Sequence, residues 1–494
     1  MNAAVHPQVI HDVIIVGAGI SGIGFAAHLA QKCPQLSYTI LERRPAIGGT
    51  WDLFRYPGIR SDSDMYTLGF AFEPWKHERA IAKGETILDY LNQIVDERGI
   101  RENIQLSRQV VAADWESATA LWTVTTQDEA GHTRTQRGHF IYMGSGYYDY
   151  DSPHDPQIPG IADFAGTVIH PQFWPQDFDA KAKRVVVIGS GATAATLVPA
   201  LAEQGAQVTM LQRTPSYYLS VPAVDAVAHR LRRWLPEMLA YRLIRAKNIA
   251  MQRFLFRRAR SQPEKVREFL TNGAREAVGP GFDATAFDPP YNPWQQRLCL
   301  MPDGDLFAAV RSGEAKIVTG KIAQVQADGI LLESGERIGA DAIVTATGLR
   351  MATLGKAVVR VDGEEIDFAQ SFYYRNCLFS NVPNFAALFG YLNASWTLRV
   401  DIVSDFLCRL LAQMDAWKVD VVTPVLAADH DLIEDNVWDY TSGYIERGRH
   451  LIPKSATTEP WRISMDYMAD RRRMRQAPLD DGVLKYERVR ARVE

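Results

Sequence analysis

Two short apolar runs, Val13-Ile14-Ile15-Val16 and Val185-Val186-Val187-Ile188, contain no polar position, and each stops at a glycine. A short continuous apolar run bounded by a turn signal fits a strand buried on both faces, as in a parallel sheet. Each run is followed by closely spaced small residues and a helical stretch. In the first unit these are Gly17-Ala18-Gly19-Ile20-Ser21-Gly22 and the segment through Lys32; in the second, Gly189-Ser190-Gly191-Ala192-Thr193-Ala194. A second strand closes each unit, Tyr38-Thr39-Ile40-Leu41 and Val208-Thr209-Met210-Leu211. The pattern predicts an α/β chain with two dinucleotide-binding, Rossmann-like domains.

The glycines carry chemistry only in that context. A pyrophosphate needs close backbone approach, which Gly17, Gly19 and Gly22 allow, and a helix N-terminus whose free N–H groups and dipole favour its charge. Gly189, Gly191 and Ala194 repeat the spacing, with alanine in the permitted third place. The strand ends differ in sign. Glu42, twenty residues after Gly22, is placed to accept hydrogen bonds from an adenosine ribose and disfavours a 2′-phosphate. The second unit ends in Gln212-Arg213-Thr214, where the Arg213 guanidinium can pair with a 2′-phosphate through two charge-assisted bonds. FAD is expected at the first site and NADPH at the second, with a hydride passing between them. An exposed Arg213 that touches no ligand is the alternative.

Length and composition narrow the class further. At 494 residues the chain exceeds a single core, and the motifs divide it into segments. Residues 1–150 are expected to start the FAD-binding domain and 151–222 the NADP-binding domain. Residues 223–315 form a helical insertion, 316–355 complete the NADP-binding domain, and 356–494 return to the FAD-binding domain with a mobile loop from Gly443 to Trp461. Within the last segment, Trp461 is either a cover over the substrate or a packing anchor. A hairpin turn is expected at Asp328-Gly329. A net charge of −4 gives no argument for nucleic-acid binding. Four cysteines without C-x-x-C spacing argue against a disulfide scaffold, a zinc site or a dithiol centre, and imply a reducing, cytoplasmic setting. The N-terminus lacks a leader-like pattern, and no apolar run reaches the ~20 residues of a membrane span.

Between Ala223 and Ala277 the chain is rich in arginine: Arg230, Arg232, Arg233, Arg242, Arg245, Arg253, Arg257, Arg258 and Arg260 stand among Leu, Trp, Met and Phe. A basic amphipathic helix can associate weakly with an anionic membrane. A helical subdomain with a solvated basic face is the commoner outcome.

Two longer motifs identify a family. Phe164-Ala165-Gly166-Thr167-Val168-Ile169-His170-Pro171-Gln172-Phe173-Trp174-Pro175 matches the F-x-G-x-x-x-H-x-x-x-W-P fingerprint of Baeyer–Villiger monooxygenases. Gly48-Gly49-Thr50-Trp51 through Tyr56-Pro57-Gly58 to Asp62 matches that family's G-G-x-W-x-x-x-x-[F/Y]-P-G-x-x-x-D signature. N- and S-oxygenating flavin monooxygenases are also similar but usually lack the Trp-Pro ending. The resemblance implies that Gly49, Thr50, Trp51, Asp62, Thr214 and Trp396 lie against the cofactors. It also implies that His170 links the motion of the two domains and takes no direct part in the chemistry; the residues alone fit a satisfied core histidine equally well. Because Pro171 and Pro175 disfavour a regular helix, the fingerprint reads as a rigid connector.

In Asn292-Pro293-Trp294-Gln295-Gln296-Arg297-Leu298-Cys299 a lone arginine stands among proline and apolar residues, where a guanidinium is costly unless it meets an anion. A structural salt bridge is the simpler reading. The resemblance implies that Arg297 is catalytic, stabilising the flavin peroxide and the oxyanion of a ketone adduct, and that Asp62 orients it; Asp64 is a competing carboxylate. Many relatives carry a lysine immediately before this arginine that helps bind the nicotinamide cofactor's phosphate. Gln296 stands there instead, leaving Arg213 more alone. The expected reaction uses O2 to convert linear and aryl-alkyl ketones to esters and sulfides to sulfoxides. A two-nucleotide disulfide reductase, an uncoupled NADPH oxidase and a non-oxygenating flavin redox protein are the alternatives.

Overall fold

The computed structural model describes residues 9–280, 282–436 and 441–489. Its first sheet is built around strand β1 (Ile10–Val16), which runs parallel to β2 (Tyr38–Leu41) on one side and to the second half of β3 (Thr133–Met143) on the other. Val13, Ile14 and Ile15 are fully buried, which explains why no polar residue interrupts the run. Helix α1 (Ile20–Lys32) connects β1 to β2. The strand Phe385–Ala387 joins β3 in parallel register, so the chain comes back to this sheet after completing a second one. The first half of β3 diverges and pairs antiparallel with Leu121–Gln127, which continues through Gln109–Glu116 to Val358–Val361.

The second sheet repeats the plan. Strand β4 (Arg184–Ile188), helix α2 (Ala192–Glu203) and strand β5 (Gln207–Gln212) form its unit. Three helices then intervene, α3 (Ala226–Trp234), α4 (Glu237–Ser261) and α5 (Pro263–Val278). Strand β6 (Ala315–Thr319) pairs with β5, β7 (Ala342–Thr345) pairs with β4, and Thr167–Ile169 lies at the edge beside β7, all in parallel. The hairpin of Ile322–Gln326 with Gly329–Leu332 turns at Ala327-Asp328, one residue before the Asp328-Gly329 turn expected from the sequence, because Gly329 already pairs with Gln326.

Helix α4 is fastened to the first sheet's side of the molecule. The buried Arg245 guanidinium donates to the carbonyls of Tyr66, Thr67 and Gly69 and pairs with Asp401 at 2.8 Å. Asp401 also faces His28 of α1 at 3.2 Å. A guanidinium with this many acceptors is tolerated in the interior, whereas one left unpaired there would cost several kcal/mol.

The two crossovers between the sheets run side by side. The Asp149 amide donates to the Arg350 carbonyl at 2.9 Å, and the Ala352 amide to the Tyr147 carbonyl at 3.1 Å. Lys356 sits between two carboxylates, 2.8 Å from Asp149 and 2.5 Å from Asp151, and Asp151 also pairs with Arg43. Arg43, reinforced by Lys356, holds the Asp151 carboxyl down at about 2. Because the folded value lies below the unfolded one, the stabilisation is complete above about pH 4 and is lost as pH falls towards 2. Asp151 is partly exposed, so Asp151→Asn is expected to cost only about 0.5–1 kcal/mol near neutrality. Urea unfolding from neutral pH into acid should show the gap between variant and parent narrowing steadily once the pH falls below about 4; a gap independent of pH would remove the ion pair as its cause.

Candidate active site

Both glycine turns open on one cavity of about 1430 Å³, lined among others by Gly17, Gly19, Gly189 and Gly191. This exceeds the roughly 300–1,000 Å³ of a pocket for one small ligand. Neither Gly19 nor Gly191 offers a side chain to the first amides of α1 and α2, so these helix N-termini remain available to an anion. At Gly22 a Cβ would come within 1.9 Å of the Gly17 carbonyl oxygen, and Gly17 has φ +96°. That pair closes the turn tightly beneath α1. At Gly191 a Cβ would meet nothing within 4 Å, so the second turn leaves room at its rim. Ala194 lies beneath it, fully buried against the sheet.

Glu42, 3% exposed, lines the cavity at the end of β2. Its carboxylate accepts from the Ala18 amide at 2.7 Å and from the Arg44 amide at 2.9 Å. Burial raises its pKa despite those two bonds. Each oxygen keeps a further lone pair for a ribose hydroxyl. Gly49 faces Gly19, and a Cβ on Gly49 would lie 3.0 Å from the Gly19 Cα. Thr50 and Trp51 begin the short helix Thr50–Leu53 on the same wall. Trp396 donates from its indole nitrogen to Ser21 Oγ at 2.8 Å and stacks on Tyr147 at 5.1 Å.

On the second unit, Ser190 Oγ donates to the Thr214 carbonyl at 2.8 Å, which ties the glycine turn to the end of β5. Gln212 is fully buried and bonds the Ala286 carbonyl and Thr319. The next side chain, Arg213, is exposed at the cavity wall beside Thr214, with no carboxylate partner among the described residues.

Arg297 and Asp62 meet between the two units, Nε to Oδ2 at 3.1 Å. A third of the Arg297 side chain and nearly half of the Asp62 side chain are solvent-accessible, and both residues line the cavity. Burial works against the guanidinium charge, but the surrounding groups, the Asp62 carboxylate foremost among them, together carry the Arg297 pKa above the ordinary arginine value. Asp64 is used elsewhere. It caps the helix Met65–Leu68 through the Thr67 amide at 3.0 Å and accepts from Asn248 and Gln252 of α4, each at 2.8 Å.

The sequence reading missed the aromatic wall around Arg297. The Tyr147 and Tyr148 hydroxyls lie 2.6 Å apart, and Tyr444 stacks on Tyr147 at 6.2 Å. Burial raises all three phenol pKa values, so these side chains stay neutral at ordinary pH. Burial also pushes the neighbouring Cys299 thiol up to about 12. Gly144-Ser145-Gly146-Tyr147-Tyr148, directly after β3, was the available signal. Trp461 proves to be a packing anchor: it is 4% exposed and packs edge-on against Tyr374 at 5.5 Å.

The fingerprint residues lie beside the crossovers. Pro171–Phe173 form one 3₁₀ turn, and His170 Nδ1 accepts from the Gln172 amide at 3.1 Å. The Gln172 side chain donates to the Asp149 carbonyl at 2.8 Å. Burial lowers the His170 pKa, which keeps the ring neutral. Trp174 packs against Phe178 and contributes to the core of the second sheet.

Two sheets, each presenting from its parallel strands a glycine-turned helix N-terminus to one cavity with an arginine between them, define a two-nucleotide oxidoreductase. The chain belongs to the FAD-containing monooxygenases. It is 46% identical to the FAD-containing monooxygenase EthA of Mycobacterium tuberculosis over 96% of this chain and 97% of that one. It is equally identical to the probable FAD-binding monooxygenase AlmA of Acinetobacter baylyi over 98% and 97%. The family described as pyridine nucleotide-disulphide oxidoreductase matches residues 14–252, although all four cysteines are buried and unpaired. Among solved structures, OTEMO in complex with FAD and NADP superposes with a TM-score of 0.76 at 20% identity, covering 97% of this chain and 100% of that one. An oxidised steroid monooxygenase bound to NADP gives 0.75 at 21%, with the same coverage.

The glycine geometry separates folding from binding. Gly22→Ala forces a Cβ into backbone and is expected to yield little folded protein. A Cβ on Gly19 would keep an ordinary 3.5 Å from the Gly49 Cα, so Gly19→Ala should fold with nearly the parent's melting temperature yet be purified with much less flavin. Full flavin content in Gly19→Ala, measured by absorbance, would mean that no phosphate approaches this backbone.

Proposed function

We propose that this chain is an NADPH- and O2-dependent Baeyer–Villiger monooxygenase that converts linear and aryl-alkyl ketones to esters and also oxidises sulfides to sulfoxides. The observation that carries the reading is the Arg297–Asp62 pair placed on the shared wall of two nucleotide cradles. The first cradle, with Glu42, Gly49, Thr50, Trp51 and Trp396, fits FAD. The second, with Gly189, Gly191, Ala194, Arg213 and Thr214, fits NADPH. When bound, FAD reduced by NADPH supplies the oxygen-activating chemistry.

The protein's own part is electrostatic and steric. The Arg297 guanidinium faces the volume in which negative charge builds on oxygen during attack on a carbonyl, and Asp62 fixes its orientation without neutralising its open N–H groups. Tyr147, Tyr148 and Tyr444, neutral and packed, line this region and restrict water, whose entry would divert activated oxygen to hydrogen peroxide. His170 and Gln172 hold the crossover at Asp149, keeping the two cradles at a fixed distance. Substrate is a small ketone or sulfide, and nucleic acid has no part in the reading.

Arg297→Ala is expected to keep flavin reduction by NADPH while ester formation falls about 10²–10³-fold, the loss typical of a donor to a developing oxyanion. Stopped-flow reduction and product analysis by mass spectrometry separate the two steps. If the parent protein turned over NADPH only to hydrogen peroxide with every ketone and sulfide supplied, the monooxygenase reading would be wrong. Arg213→Ala should raise the KM for NADPH about tenfold or more, as loss of a charge-assisted bond does, and leave the KM for NADH nearly unchanged. Equal shifts for both cofactors would remove the phosphate contact.

A further inference from the structure

Helices α3–α5 form a surface unlike the rest of the molecule. Residues 223–278 carry thirteen Lys and Arg against five Asp and Glu, on a chain whose overall charge is −4. The same segment holds eight of the eighteen large apolar side chains exposed among the described residues, including the most exposed of all, Trp234 at 76%. Single exposed apolar residues are ordinary, but a cluster of them framed by charge marks an interaction surface.

The cluster is ordered by helix geometry. On α4, Leu239, Leu243, Ala250 and Phe254 are exposed, and at 100° per residue they fall within about 60° of one another, a stripe roughly 22 Å long. Arg242 and Arg258 flank it on either side. The Lys247–Asp225 ion pair sets the start of α3 beside the middle of α4, which leaves Trp234, at the end of α3, near Leu239. Helices α4 and α5 double back at Gln262, so Phe254 and Phe269, at 62% and 61% exposed, stand at similar heights. Arg230, Arg242 and Arg258 have no carboxylate partner among the described residues, and Arg233 lies over the Trp234 ring at 5.9 Å. Exposed aromatic and aliphatic side chains flanked by guanidinium groups without carboxylate partners match an interface with apolar chains below and anionic headgroups above.

We propose that the outer face of α3–α5 docks on an anionic lipid bilayer. No helix among the described residues is long and apolar enough to cross a membrane, so the contact is peripheral. The opposite face of α4 reaches the site. Asn248 and Gln252 hold Asp64, two residues from Asp62, and Phe256 packs against Trp294 at 5.6 Å, three residues from Arg297. Docking would therefore place lipid on one side of a helix whose other side braces the Asp62 and Arg297 segments.

The test is flotation of the flavin-loaded protein with phosphatidylcholine vesicles, with and without phosphatidylglycerol. Its readout is binding and not turnover, so it is independent of the carbonyl reading above. The parent should float with phosphatidylglycerol vesicles at low salt, detach as salt rises, and stay unbound with phosphatidylcholine alone. An Arg230→Glu/Arg242→Glu/Arg258→Glu variant should keep its flavin and melting temperature while partitioning falls roughly a hundredfold, about fivefold for each basic side chain lost at the surface. Brominated acyl chains should quench a fraction of the tryptophan emission that disappears in Trp234→Phe. Absence of flotation, or flotation that neither variant alters, would overturn the proposal. A dimer in solution that Trp234→Ala/Phe254→Ala converts to monomer, without vesicle binding, would assign the face to a second copy of the chain instead.

Discussion

Two helix N-termini with unpaired amides have to face one open volume, and nothing in that volume can hold them there before the cofactors arrive. The burden falls on the paired crossovers. Lys356 between Asp149 and Asp151, Arg43 on Asp151, and the backbone bonds of Asp149 to Arg350 and Ala352 to Tyr147 tie the crossovers together along the cavity wall. Gln172 adds a bond to the same Asp149 carbonyl. The fingerprint segment, through His170 and Gln172, thus contributes to the geometry of the crossover, and in the proposed function charge stabilisation falls to Arg297.

The molecule places its buried cations according to two uses. Arg245 and Arg399 are engaged through their terminal nitrogens: the first holds three carbonyls and Asp401, the second pairs with Asp470 at 3.0 Å and stacks over Tyr391 at 3.9 Å. Both tie elements together and have little left to offer a ligand. Arg297 has one carboxylate, through Nε, and an open flank. An incompletely satisfied guanidinium is a cost to the fold unless an anion completes it, which is why its position on the cavity wall argues for function and that of Arg245 argues for architecture.

The helical insertion joins these themes. It hangs from the second sheet in sequence, yet Arg245, Asn248 and Gln252 attach α4 to the segment around Asp64 and to the helix Thr397–Trp417. Its inner face is thus committed to the site while its outer face carries the surplus of arginine and exposed aromatic side chains. One amphipathic helix serves both because its two sides have different partners, not because its apolar moment points only inward.

The two nucleotide-binding units were legible in the sequence because each is local: strand, turn and helix lie within about thirty residues, and the glycines are dictated by backbone approach within that stretch. The signs of Glu42 and Arg213, and the lone Arg297 among apolar residues, were legible for the same reason. The choice between Asp62 and Asp64 was not visible locally, since two carboxylates two residues apart differ only in what the chain brings to them: Arg297 to one, Asn248 and Gln252 to the other. Tyr147, Tyr148 and Tyr444 likewise become one wall only when residues some three hundred positions apart are packed together. Sequence determined which local units form and what charge each carries. Tertiary structure decided which charges meet, because pairing between distant segments is set by the packing of the sheets and not by any pattern within either segment.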